Sequence, residues 1–328
     1  MRTAVDPVEI GLNAAIFAVR GEEPVVAVVP TALTGHPSDG SLPCGPFSPR
    51  EHGTLEGGLR SWVHRQTGIE LGFAQQLCTF GDRIGPPANA GGAAPVVVTV
   101  CYLALAGPAA ENGHEPTSWQ SWYAYFPWED WRHGRPDCLA NHIEPHLRDW
   151  AARQPSESGW PAALDRGQRL RLYFGCDGGA WDEEKVLERY ELLCEAGLIG
   201  QPGSIPGNPA ALAWRLPKLW HQTQGDHARV LATAIGEFRR AIKYRPAVFE
   251  LMAEVFTLFE LQKTVEAILG PHLHKQNFRR LVEGGGLVEP TGEYRYRTGG
   301  RPAQLYRFRR DVMLERLAPG VRVKAGRA

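Results

Sequence analysis

A chain of 328 residues with 43% hydrophobic and 22% charged content has the make-up of a soluble protein of about two domains, each long enough to bury a core. Its 36 basic and 36 acidic residues cancel, but unevenly: Trp214 to Ala328 holds 21 Lys and Arg against 11 Asp and Glu, a balance of +10, and Met1 to Ala213 carries the opposing −10. No apolar run approaches the roughly 18 residues of a membrane span, and Cys44, Cys78, Cys101, Cys138, Cys176 and Cys194 form no C-x-x-C pair and follow no signal peptide, so they read as reduced thiols in a cytoplasm rather than as disulfides or zinc ligands.

The first 110 residues read as strands around one helix. Ile10 to Val19 and Val25 to Val29 are apolar runs separated by Gly21-Glu22-Glu23-Pro24, which suggests a hairpin. Leu77 to Phe80 and Val96 to Leu105 are further strands by their valines and aromatics. Between them Leu42-Pro43-Cys44-Gly45 opens a Pro/Gly-rich loop into a helix over Thr54 to Thr67, closed by Gly68-Ile69.

This strand, loop, helix, strand order resembles the Nudix fold. Leu42-Pro43-Cys44-Gly45 looks like the family's L-P-G-G, Glu51 follows Gly45 at the family's spacing, and Gly68-Ile69 matches its closing pair. The centre of the signature departs from it: the R-E-U-x-E-E positions, where U is a bulky apolar residue, hold Ser61, Trp62, Val63, His64, Arg65 and Gln66. Nudix hydrolases hold a divalent cation on glutamates of this helix, because hard cations need anionic oxygen ligands. The resemblance therefore implies a Nudix-like domain with no catalytic residues and no metal ligands, retained as a nucleotide sensor. The rival is a hydrolase of ADP-ribose or a related dinucleotide that recruits Glu51, Glu56 and Glu70 instead.

Residues 119–200 form an insertion with a dense aromatic stretch, Trp119 to Arg132, and an amphipathic helix over Trp181 to Gly197. Trp128 with Arg132 could stack on adenine and meet phosphate; core or interface packing is the plainer role of such aromatics. Asp226 to Lys243 carries Val230, Ala234, Ile235, Phe238 and Ile242 on one stripe and reads as a connecting helix, and Pro246 starts a helix over Ala247 to Glu254. Asp226 and His227 read as a cap and a partly buried histidine rather than as an acid–base pair.

The basic C-terminal third is the electrostatic mark of a polyanion binder. Thr257 and Glu260 form an S/T-x-x-E capping box for a helix ending at Leu269 before Gly270-Pro271. About four residues later a short basic helix begins, with His274, Phe278, Leu281 and Val282 on its apolar edge and Lys275, Gln276, Asn277, Arg279 and Arg280 available to read bases. Leu287 to Glu289, Tyr294 to Thr298 and Gln304 to Arg309 read as strands of a basic hairpin carrying Arg295, Arg297, Arg301, Arg307 and Arg309. Helix, turn, helix, basic hairpin is the layout of a winged helix.

Taken in order, Gln76 to Arg83, Lys243-Tyr244-Arg245-Pro246, Phe256 to Gln262, Gln276-Asn277-Phe278-Arg279-Arg280, Thr291-Gly292-Glu293 and Gly300-Arg301-Pro302-Ala303 resemble the Nudix-related transcriptional regulators of NAD metabolism. The resemblance implies an α+β chain: a Nudix-like α/β/α sandwich with an insertion (1–225), a linker helix (226–245) and a winged helix-turn-helix (246–328). It implies a repressor of NAD-synthesis genes that binds an inverted repeat in double-stranded operator DNA as a homodimer. No resident cofactor is required, and an effector nucleotide (ATP, NAD or ADP-ribose) releases the DNA. Position within the family pattern places Phe80, Asp82, Arg83 and Arg60, with Trp128 and Arg132, at the ligand site.

Overall fold

The computed structural model describes residues 8–30, 40–84, 96–108, 117–153, 164–199, 227–296, 302–315 and 320–321. The chain divides into two compact units, Met1–Ala18 with Val25–Gln120, and Val19–Pro24 with Ser121–Ala328.

The first unit is built on β1 (Val8–Arg20), β2 (Glu23–Pro30), β3 (Gly40–Ser41), β4 (Cys44–Pro46), α1 (Pro49–His52), α2 (Leu55–Thr67), β5 (Ala74–Ile84), β6 (Val96–Leu105) and β7 (Ser118–Ser121). Its strands follow the order β3-β2-β1-β6-β5, with β4 added on β1 and β7 on β2. The sheet is mixed: β1 and β6 are parallel, from Val8 opposite Val96 to Phe17 opposite Leu105, while β5 runs antiparallel to β6. Alternation along the strands sends Leu12, Ala14 and Ile16, with Val100, Tyr102 and Ala104, into one cluster with Leu59 and Val63 of α2. Helix α2 starts where the Thr54 side chain accepts from the Gly57 N–H, and it stops at Gly68, whose φ of 69° is left-handed and open to glycine at no steric cost. Helix and strands thus lie within a residue or two of where the sequence places them, apart from β5, which runs longer.

The second unit begins with α3 (Trp122–Tyr125), a 3-10 turn at Pro127–Glu129, and a π turn at Leu139–Ile143 leading into α4 (Glu144–Arg153). It continues through α5 (Arg166–Phe174), α6 (Val186–Glu195), α7 (His227–Tyr244) and a 3-10 turn at Ala247–Leu251. The C-terminal part holds β8 (Phe256–Thr257), α8 (Leu258–Leu269), α9 (Lys275–Gly284), β9 (Val288–Arg295), β10 (Ala303–Phe308) and α10 (Val312–Glu315), with its sheet ordered β8-β10-β9. Three expectations shift. The first two strands of the basic hairpin are one strand, β9; the helix after Pro246 is only a 3-10 turn; and Trp181 lies ahead of α6, its ring 4.7 Å from that of Trp131.

The division into units also differs from the expected boundary at 225, because the insertion packs with α7 and the winged helix. What ties them is a buried ionic cluster. The Glu129 carboxylate, 1% exposed, accepts from Arg189 Nε at 2.6 Å and Arg189 Nη2 at 2.8 Å, and from Arg239 Nη1 at 2.7 Å; both arginine side chains are fully buried. Two guanidinium ions against one carboxylate leave a surplus positive charge, which backbone carbonyls offset. Arg189 donates to the carbonyls of Tyr173 and Asp182 and lies 3.9 Å from the Trp181 ring centroid. Arg239 donates to the carbonyls of Glu183 and, at 2.9 Å, Ile268. Tyr123 Oη donates to the carbonyl of Ala267 at 2.8 Å, so two of the last carbonyls of α8, which the helix itself leaves unpaired, are satisfied from outside it. Gly270 follows at φ 97°, and a Cβ there would press on the Glu129 carbonyl and Trp131.

Removing the carboxylate of this cluster strands two buried guanidinium ions, at a cost of about 3–5 kcal/mol. Glu129→Gln is expected to lower unfolding free energy by that order near neutral pH, measured by urea denaturation. Burial alone would raise the Glu129 pKa, but Arg189 and Arg239 outweigh it and hold the carboxyl below its ordinary value of 4.5. Its contribution is therefore complete above that value and lost as pH falls below it. The stability gap between wild type and Glu129→Gln is accordingly expected to narrow as denaturation curves are taken below about pH 4.5.

Candidate functional site

Two surfaces carry the chemistry that the sequence singles out. The first is α9. Phe278 and Val282 are buried and Leu281 is half-buried, which fixes the helix on the winged-helix core. His274, expected on that apolar edge, is exposed instead: it is the residue before the first turn and lies outside the helical register. Lys275, Gln276, Asn277, Arg279 and Arg280 are all exposed. Arg280 donates to Asn277 Oδ1 at 2.9 Å across one turn, and among the described residues no side-chain hydrogen bond or ion pair is seen for Lys275, Gln276 or Arg279. A polar, basic helix face with donors and acceptors at its start is suited to the edges of bases in a major groove.

The capping box that starts α8 is present, and its glutamate does double service. Glu260 Oε2 accepts from the Thr257 N–H at 2.8 Å while Oε1 accepts from Arg295 of β9. Arg295 of the basic hairpin thus also joins the wing to the start of α8. Arg307 pairs with Glu289 at 2.6 Å, and Arg309 with Glu315 and the Gly286 carbonyl. Arg297 and Arg301 lie outside the described residues. Tyr294 of β9 and Tyr296 just beyond it are exposed, at 51% and 77%. Tyr306 of β10, opposite Pro290, donates to Glu283 of α9 at 3.0 Å.

The second surface is the loop in front of α2, where a Nudix hydrolase would hold its metal. Here Gln66 takes both backbone groups of Cys44: its Oε1 accepts from the Cys44 N–H at 3.0 Å, and its Nε2 donates to the Cys44 carbonyl at 2.8 Å. Trp62 Nε1 donates to the Pro46 carbonyl at 2.9 Å, and its ring lies so close over Gly45 that any Cβ there would collide with it. Arg65 sits 5.2 Å from the Trp62 ring centroid. An indole and an amide therefore bind the loop directly to the helix, at positions where the hydrolase signature places glutamates. The rival donor set does not assemble: Glu56 pairs with Arg60 at 2.8 Å, Glu70 with His64 at 3.1 Å, and both carboxylates are largely exposed. Among the described residues no group of three His, Cys, Asp or Glu side chains is placed to hold a metal ion.

Of the proposed ligand residues, Phe80 is half-buried on β5 opposite Thr99. Arg60 is occupied by Glu56 and by the carbonyls of Leu71 and Gly72. The side chains of Asp82 and Arg83 lie outside the described residues. Trp128 and Arg132 are corrections. Trp128, 3% exposed, packs edge-on to Phe126 and offers no face to a ligand. Arg132 is held by Asp130 and Glu23 and lies 4.8 Å from the Tyr123 ring centroid. Sequence reading missed Glu129, Arg189 and Arg239 altogether. The available signal was phase: Arg239 falls one turn after Ile235 on the apolar stripe of α7, and Arg189 lies between Val186 and Leu193 on that of α6.

A mixed Nudix-type sheet with a direct protein staple in its signature loop is followed in the same chain by a winged helix. More particularly, residues 248–308 match the family model described as the NrtR DNA-binding winged helix domain. An 83-residue segment, 25% of this chain, is 42% identical to the ADPR responsive transcriptional repressor NtrR of Acinetobacter baylyi and covers 33% of it, so the match spans about a third of that relative. The chain also shares its fold with Shewanella oneidensis NrtR, solved alone and complexed with a 27mer DNA. Identities are 20% and 19%, each TM-score is 0.50, 92% of this chain is covered, and 95% and 94% of those chains respectively.

Gln66→Ala would leave the N–H and carbonyl of Cys44 without their partner, which costs about 1–3 kcal/mol for a buried group. A lowered midpoint is expected in thermal unfolding of the purified chain, with faster hydrogen exchange at the Cys44 amide.

Proposed function

We propose that this chain is a ligand-responsive transcriptional repressor of NAD-synthesis genes. It acts as a homodimer on an inverted repeat and lets go when an adenine nucleotide binds its Nudix-like unit, which serves as a sensor without pyrophosphatase activity. The observation that carries this reading is the exposed face of α9, Lys275 to Arg280, on a winged helix that matches a DNA-binding family over residues 248–308. The +10 balance of the C-terminal third supports attraction to a polyanion. ADP-ribose is the first effector to test, because the curated relative is named as ADPR-responsive; ATP and NAD follow. Two copies of α9 would enter successive major grooves about one helical turn apart. The nucleotide need only prefer the released conformation by a few kcal/mol.

In gel-shift titrations against DNA upstream of NAD-synthesis genes, a sharp shift abolished by one nucleotide is expected. Gln276→Ala should cost about 1–3 kcal/mol at the cognate site and relax specificity there. Lys275→Ala should weaken binding to all sequences alike and lower the slope of log K against log salt by about one. A shift indifferent to every nucleotide would retain the DNA reader and sink the sensor. Release of phosphate-bearing products from ADP-ribose with excess magnesium would overturn the absence of catalysis.

A further inference from the structure

Three of the six cysteines lie in one row across the sheet of the first unit. Cys44 of β4 is opposite Asn13 of β1, Asn13 is opposite Cys101 of β6, and Cys101 is opposite Cys78 of β5. Asn13 separates the first thiol from the others, whereas Cys78 and Cys101 are direct partners. Directly opposed residues of an antiparallel ladder share a face, with Cβ atoms about 4.5–5.5 Å apart. A disulfide asks for about 3.5–4.5 Å, so closure needs a movement of about 1 Å. The place is suited to such a movement. The register shifts between Gln76 and Cys78, so the strand is irregular at this point, and β5 ends the strand path, with β6 its neighbour on one side. The two thiols also differ in access: Cys101 is fully buried, while Cys78 is half-buried and reachable by a small oxidant.

We propose that Cys78 and Cys101 are an oxidant-responsive dithiol that closes to a cross-strand disulfide when a hydroperoxide reaches Cys78. The Cys78 thiolate attacks one peroxide oxygen, the O–O bond breaks, and with hydrogen peroxide water leaves, giving a sulfenic acid. The Cys101 sulfur then displaces the sulfenic hydroxyl, which departs as water with the second thiol's proton. In sum two thiols and one peroxide give one disulfide and two waters; sulfur is oxidised and the peroxide reduced. In a reducing compartment such a bond is transient, which is the behaviour of a sensor rather than of a structural link. Closure fastens the strand that carries Phe80. The proposal does not depend on the regulator reading.

The test is a peptide map of the wild-type chain treated with hydrogen peroxide, alkylated, and digested without reductant. Most molecules should yield one linked pair carrying Cys78 and Cys101, lighter by the two thiol hydrogens and parted by dithiothreitol. In Cys101→Ala, Cys78 should remain as a sulfenic acid that dimedone traps. Both thiols staying open to alkylation after unfolding, a dimedone adduct on Cys78 in the wild type, or a link from Cys78 to any other cysteine would each overturn the proposal. The wild-type map decides the matter even where Cys101→Ala folds poorly.

Discussion

One carboxylate shared by two arginines determines how the second unit is put together. Glu129 is on a 3-10 turn of the insertion, Arg189 on α6 and Arg239 on α7, so none of these elements can be placed without the others. Charges cannot be left in a low-dielectric interior without partners, and an arginine that has lost its carboxylate would draw the surrounding carbonyls out of place. Apolar packing tolerates slippage; a planar guanidinium held by fixed oxygens does not. Because Arg239 and Tyr123 also hold the last carbonyls of α8, the cluster sets the position of the turn from which α9 departs.

Much of this architecture was legible because its signals are local. Apolar runs rich in β-branched residues gave β1 and β6, a threonine cap and a closing glycine bracketed α2, and Thr257 with Glu260 announced α8. The polar face of α9 followed from helical phase alone. His274 escaped because periodicity says nothing of where a helix begins, and the two short strands merge because β9 continues through Pro290 and Gly292.

The less legible part is what depends on contacts remote in sequence. Glu129 meets Arg189 and Arg239, 60 and 110 residues away, and no pattern within a helix names such a partner. Trp128 and Arg132 looked like a ligand's stacking platform and phosphate clamp because composition does not record burial. Their neighbours are Phe126, Asp130 and Tyr123, and those contacts use the same surfaces. The wing arginines share this limit: their charge is visible in the sequence, whereas the glutamates that pair with Arg295 and Arg307 are recognisable as partners only once strands and helix are in register.

The link from Gln66 and Trp62 to the loop at Cys44–Pro46 has a bearing on how this unit is ordered. A loop organised by a bound cation takes its order from the ionic content of its surroundings, loosening when the ion is scarce and competing for it with every free phosphate. A loop organised by an amide and an indole has no such dependence. The hydrogen bonds that order it at Cys44 and Pro46 come from the chain itself, and none of them runs through an ion.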